Sequence, residues 1–214
     1  MILGPGARVA FYYAPASEDP LSVAAASWYA AYPWLTEDAR RYGFHATLKP
    51  PMRLREGCGW ADVLDVAAMI ATSVPPFALP PLAVADVFGF LALRETEPCP
   101  ALQAFADVCV AIADPLRALP EEAELARRRR NGLSRAEEAN LSRWGYPYVF
   151  ATFFFHLTLT RRLAAEEMAA LRPEAERHFA AALVHARMVS DVCLFVEPEP
   201  GVELVLGKRI ALCG

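Results

Sequence analysis

Cysteine is too scarce and scattered to frame a fold. The five present, Cys58, Cys99, Cys109, Cys193 and Cys213, are odd in number and form no C-x-x-C pair. That excludes a disulfide scaffold and a thiolate zinc site, and reduced thiols of a cytoplasmic protein are expected. Long hydrophobic runs are missing too. The most apolar helical stretch, near Ala101–Ala113, is short and holds Asp107, so it reads as a core helix and not a membrane span. The opening segment MILGPGARVAFYYAP has no basic region followed by a long apolar one, so it does not read as a signal peptide. Positive charge is not in excess: 21 Lys and Arg stand against 25 Asp and Glu. No long nucleic-acid partner is expected on that balance. A small anion remains compatible with it, because a local cluster can be positive on an acidic protein.

What is present is apolar bulk. The 214 residues are 55% hydrophobic, enough for a sizeable core. Arg8–Ala14 reads as a strand, and Asp19-Pro20 as an N-cap with proline at the first helical position of Pro20–Ala31. Tyr42–Leu48 reads as a second strand, halted by Pro50-Pro51. Further helices are expected at Trp60–Thr72, Ala101–Leu119 and Glu121–Arg130, the last ending at an Asn131-Gly132 cap. The stretch Pro75–Pro81 must be extended or edge-like. Leu82–Arg94 reads as a strand pair turning at Gly89. Ser134 and Glu137 form a capping-box pattern that restarts a helix to about Trp144. Tyr148–Thr160 is expected as a strand, Ala164–Leu183 as a helix, and Val189–Val196 with Val202–Leu212 as a hairpin across Pro200-Gly201. The order is that of an α+β or α/β chain.

Two segments repeat each other: Phe44-His45-Ala46-Thr47-Leu48 and Phe155-His156-Leu157-Thr158-Leu159, about half a chain length apart. Strand side chains alternate faces. His45, Thr47 and Lys49 are therefore expected on one side, and His156, Thr158 and Thr160 on one side of the other strand, each opposite an apolar set. Burying the polar set unpaired is costly, so it needs water or a partner. Threonine is only 7 of 214 residues and histidine 4, so a His-x-Thr strand met twice is poorly explained by chance. Either copy alone would read as a solvated sheet face. Two such strands side by side would give a groove holding two imidazoles and two hydroxyls.

Paired H-x-T-x motifs, one per half of a chain of this length, resemble the 2H phosphoesterase superfamily. The string Tyr42-Gly43-Phe44-His45-Ala46-Thr47-Leu48-Lys49-Pro50-Pro51, with Phe155–Thr160, is similar to a bacterial branch associated with phosphonate-utilisation operons. The resemblance implies a single bilobal domain over residues 1–214 with a pseudo-two-fold duplicated α+β fold. Two small antiparallel sheets would face a central cleft, with helices outside. It implies a metal-independent hydrolase opening a small cyclic phosphodiester, such as a ribosyl cyclic phosphate, with no cofactor. His45 and His156 would be general acid and base, the assignment being open, since an imidazole serves either role near neutrality. Thr47 and Thr158 would hold the non-bridging oxygens. Lys49 is a candidate phosphate cation. Arg161, expected on the opposite strand face, is a weaker one, and Tyr13 is a candidate aromatic wall or core residue. His178 and His185 read as surface or packing residues. Arg127–Arg130 reads as a solvated helix face paired with glutamates, or as a lid. The alternatives are opening of RNA 2′,3′-cyclic phosphate ends and non-catalytic binding of a phosphate ester or nucleotide.

Overall fold

The computed structural model describes residues 3–4, 6–130 and 132–214. The strands are β1 (Arg8–Tyr13), β2 (Ala46–Arg53), β3 (Phe77–Leu79), β4 (Leu82–Val87), β5 (Phe90–Glu95), β6 (Leu157–Arg162), β7 (Arg187–Val189), β8 (Asp191–Glu197) and β9 (Val205–Ala211). The helices are α1 (Pro20–Ala31), α2 (Glu37–Tyr42), α3 (Trp60–Ser73), α4 (Pro100–Ala113), α5 (Glu122–Arg129), α6 (Arg135–Trp144) and α7 (Ala165–Leu183). Two antiparallel sheets organise them. One has the order β2-β1-β8-β9, the other β4-β5-β6, and β3 pairs with β7 in a small ladder beside them. The first sheet joins both ends of the chain, and the second comes from the middle.

Each sheet hides one face under helices. α3 and α4 pack on the four-stranded sheet, while α7 packs on β4 and β5, with α1 beside it. The shared core takes Val9, Phe11 and Tyr13 from β1, Leu91 and Leu93 from β5, and Leu157 and Leu159 from β6. Alternate residues of β1 face the other way: Ala10, Tyr12 and Ala14 gather with Cys193, Phe195 and Leu204 in a separate small cluster. This second cluster floors the face on which the first histidine lies.

Local chemistry explains the elements that follow the sequence reading. The Asp19 carboxylate accepts from the Leu21 amide at 2.7 Å, capping α1. Ser134 and Glu137 make both bonds of the capping box that starts α6. β8 and β9 pair across a turn in which Gly201 has φ +94°. The expected Asn131 cap lies outside the described residues.

Three expectations need correction. Tyr42–Leu48 is not one strand: α2 runs to Tyr42, and β2 begins at Ala46 and continues through Pro50-Pro51. The prolines are tolerated because β2 is an edge strand and need not donate on its open side. Tyr148–Thr160 is likewise not one strand. Asn140 Nδ2 donates to the carbonyls of Pro147 and Val149, and Thr152 Oγ1 donates to Pro147 O at 2.7 Å. These side chains take the carbonyls a ladder would use, and a short 3₁₀ turn forms at Phe150–Thr152. The helix expected to reach Leu119 ends as α4 at Ala113, where Pro115 follows within a 3₁₀ turn.

Candidate active site

The two motif strands occupy matching positions, each at an edge of its sheet. Both histidines fall just before their strands and are half-buried. Each is oriented in the same way. His45 Nδ1 lies 2.9 Å from Gly43 O, and His156 Nδ1 lies 3.2 Å from Phe154 O. A carbonyl only accepts, so Nδ1 carries the proton in both rings and Nε2 is left as the titrating nitrogen. His45 Nε2 is also 3.2 Å from Thr47 Oγ1. An aromatic ring backs each imidazole: Tyr12 stacks on His45 at 3.8 Å and 18°, and Phe154 on His156 at 4.9 Å and 20°.

Gly43 sets the first of these geometries. It follows α2 with φ +73° and ψ 171°, a conformation open essentially to glycine alone. That turn delivers its carbonyl to His45, and a Cβ there would meet Phe195 at 3.5 Å.

Burial, with a smaller part from the charge of His156, lowers the pKa of His45 to about 4. His156 is also lowered, chiefly by burial and in part by the Arg94 charge. Burial thus favours the neutral form of both rings at neutral pH.

The second motif is held from behind. β6 is an edge strand, and α1 covers its open side in place of another strand. Tyr29 Oη donates to Thr158 O at 2.7 Å, and Trp28 Nε1 to Leu159 O at 3.0 Å. The Arg161 amide bonds Leu35 O at 2.6 Å. Thr158 keeps its side chain half-exposed, opposite Ala92 of β5. Thr160 is buried instead and accepts from the Leu91 amide at 3.0 Å, at an irregularity in the β5–β6 pairing that breaks the simple alternation.

Three candidate residues lie elsewhere. Lys49 does not share a face with Thr47. Between them the β1–β2 register shifts, so that Thr47 is opposite Tyr12 but Lys49 is opposite the core residue Phe11. Its ammonium is 2% exposed and pairs with Asp114 at 3.2 Å and with Val110 O. Tyr13 is 4% exposed and packs 5.8 Å from Phe155, a core position and not a wall of the cleft. Arg161 points outward and pairs with Glu167 at 2.8 Å. His178 is exposed and rests on α1, 2.8 Å from Ala24 O, and His185 is exposed. The arginines of α5 are paired: Arg128 with Glu124, and Arg129 with Glu138 and Glu122.

Sequence reasoning missed Tyr12, Phe154 and Arg94. Phe154 carried a usable signal, lying two residues before a motif histidine, and Tyr12 a weaker one, as the neighbour of Tyr13 on the other face of its strand. Arg94 carried none, because its place depends on the pairing of β5 with β6. Among the described residues no three His, Cys, Asp or Glu are gathered as a metal would require, and no helix is long and apolar enough to cross a membrane.

Residues 47–205 match the model of a family described as "Protein of unknown function (DUF1045)". Among curated relatives, the chain is 36% identical to a ribose 1,5-bisphosphate phosphokinase PhnN of Janthinobacterium sp. (strain Marseille), with 97% of this chain and 51% of that protein covered. It is 37% identical to the PhnN of Laribacter hongkongensis (strain HLHK9), with 86% and 43% covered. The chain therefore spans about half the length of the curated relatives it matches. Solved structures share its fold over its whole length. One described as a phosphoesterase aligns with a TM-score of 0.50 at 15% identity, over 98% of this chain and 99% of its own. E. coli LigT, solved in complex with 3′-AMP, aligns with a TM-score of 0.50 at 16% identity, over all of both chains. The fold is thus that of these solved structures, E. coli LigT among them.

Proposed function

We propose that this chain, which belongs to the DUF1045 family and has the LigT-type fold, hydrolyses a small cyclic phosphodiester with His45 and His156 as its acid–base pair. One observation carries the reading. Two imidazoles from distant parts of the chain precede motif strands in matching edge positions, each with Nδ1 tied to the carbonyl two residues back and Nε2 left to exchange a proton. Ring opening of a cyclic phosphate needs that pair. His45, whose pKa burial lowers to about 4, takes a proton from the attacking water through Nε2. The new P–O bond forms as the bond to one ring oxygen breaks. His156, protonated once an anionic phosphate is beside it, gives its Nε2 proton to the departing oxygen. Thr47 and Thr158 donate hydroxyl hydrogens to the non-bridging oxygens. No step asks for a metal.

The curated relatives are named as kinases, but this chain has no G-x-x-x-x-G-K-[ST] pattern. Its single Gly-Lys step, Gly207-Lys208, is followed by Arg209. The kinase name is therefore not carried to these residues. What it supports is the substrate class: a ribosyl cyclic phosphate of phosphonate metabolism suits a chain akin to half of a protein named for a ribose phosphate. A second reading, opening of RNA 2′,3′-cyclic phosphate ends, is favoured by the row Phe88, Phe154 and Tyr148, whose neighbouring rings lie 5.4–5.5 Å apart beside His156. Such rings can stack a base.

The test is turnover of ribose cyclic phosphates, 2′,3′-cyclic nucleotides and short cyclic-phosphate-ended oligoribonucleotides, with and without a chelator. Sugar phosphates are expected to turn over fastest, and His45→Ala and His156→Ala each to lose about a hundredfold or more. Full activity in both single variants would refute the assignment. Saturable binding without turnover would leave a binding module, and preference for the oligonucleotide would favour RNA ends.

A further inference from the structure

A cyclic phosphodiester enters as an anion and gains charge as the nucleophile attacks. Two imidazoles that burial holds toward the neutral form, and two hydroxyls, offer dipoles but no fixed positive charge. Several other cations are already engaged. Lys49 is buried with Asp114, Arg161 is held by Glu167, and Arg128 by Glu124. Arg8 pairs with Glu197, Arg41 stands 3.6 Å from the same carboxylate, and Arg53 pairs with Glu121.

Arg94 differs. Ala92 and Thr158 are direct cross-strand partners, as are Leu93 and Leu157. Two residues further on the face of Ala92 comes Arg94, and two residues back from Thr158 comes His156, so the continued pairing sets Arg94 beside His156. The Arg94 charge is felt at His156, which agrees with that placement. Yet its one ion-pair partner among the described residues is its own neighbour, Glu95, at 3.5 Å, the outer limit of a hydrogen bond. Its Nε is buried and has no hydrogen-bond partner among the described residues, and Glu95 Oε2 is left unpaired as well. A guanidinium presents its donors in a rigid fork matched to two phosphate oxygens. Arg41, Arg128 and Arg187 also keep a buried Nε without a partner among the described residues, so what singles out Arg94 is its place beside His156.

We propose that Arg94 is the phosphate-binding cation of the site, donating Nε–H and an Nη–H to two oxygens of the phosphate held between His45 and His156. The inference rests on the phosphoesterase reading for its reaction, but not for its test. Inorganic phosphate is titrated into the intact protein and followed by calorimetry and by the His156 ring signals. Arg94→Gln should weaken phosphate binding at least tenfold with an unchanged melting temperature, and Arg94→Lys should recover part of it. Where turnover is measurable, free guanidinium should restore some activity to Arg94→Ala, which a purely structural role would not allow. Equal phosphate affinity in wild type and Arg94→Gln would overturn the proposal, as would a wild type with no saturable phosphate binding. Neither result touches the His45 and His156 assignment, which stands or falls on turnover by its own variants.

Discussion

Removing the ring that covers His45 should make it a stronger base. Tyr12 is 1% exposed and stacks on the imidazole at 3.8 Å, and burial is the main reason the His45 pKa falls to about 4. Relative to an ordinary value near 6.5, that depression corresponds to about 3 kcal/mol against the imidazolium. The ring is half-buried, with other sides packed by Phe195 and Tyr42 at 6.3 and 6.4 Å, so Tyr12 accounts for only part of it. In Tyr12→Ala the His45 pKa should therefore rise by about 1–2 pH units. Tyr12→Phe, which keeps the stacked ring, should leave it in place. The sign follows from the base role. Neutral His45 is the active form, so activity is lost as pH falls through its pKa, and the acidic limb of kcat/KM should lie near pH 4 in the wild type. In Tyr12→Ala that limb should move toward pH 5–6. The same burial makes the fold acid-sensitive. The unfolded chain binds the His45 proton below about pH 6.5 and the folded one only near 4, so stability is full above 6.5 and falls as pH drops between these values. Histidine ring NMR titration in folded protein gives the pKa directly, and a pH–rate series gives the limb. A wild-type His45 pKa near 6.5, or one that does not move in Tyr12→Ala, would refute the reasoning.

Two further perturbations separate structural from chemical roles. Lys49→Met should keep kcat/KM within about threefold, because the ammonium faces Asp114 and the core, whereas Asp114→Ala should lose about 3–5 kcal/mol in urea unfolding by leaving that charge buried without its carboxylate. Burial lowers the Lys49 pKa to about 8, so wild-type stability should rise between pH 8 and about 10 and the Met variant should lack that rise; a large activity loss in Lys49→Met would return the residue to the site. Gly43→Ala should cost about 1–3 kcal/mol, as its backbone at φ +73° and ψ 171° suits glycine alone, and should lower kcat by freeing the His45 ring from its carbonyl anchor; thermal melts and rates within error of wild type would count against that anchor.

Much of the fold was legible because its signals are local. Asp19, Pro20, Ser134 and Glu137 fix helix starts within a few residues of themselves, and Gly89 and Gly201 mark turns by backbone freedom alone. What was not legible depends on pairing. The sequence cannot show that β2 lies at an edge, so Pro50-Pro51 looked like a stop. Nor can it show that Asn140 reaches forward to the carbonyls of Pro147 and Val149, turning an aromatic stretch with strand character into a 3₁₀ turn.

The site divides along the same line. His45 with Thr47 and His156 with Thr158 could be proposed from sequence because each pair is separated by one residue, and over so short a span a strand alternates reliably. Lys49 is only two residues beyond Thr47, but the register shift between them inverts its face, and the same logic failed for Thr160 on β6. Alternation predicts a face only as far as the next bulge. That is why the cation of this site is to be sought across the ladder and not along the motif. A residue two steps along its own strand can be turned away by one irregular pair. A residue on the adjacent strand is held to the histidine by the regular pairs Ala92–Thr158 and Leu93–Leu157. Arg94 meets that condition, and it does so from a strand whose sequence, Phe90-Leu91-Ala92-Leu93-Arg94-Glu95, resembles neither motif.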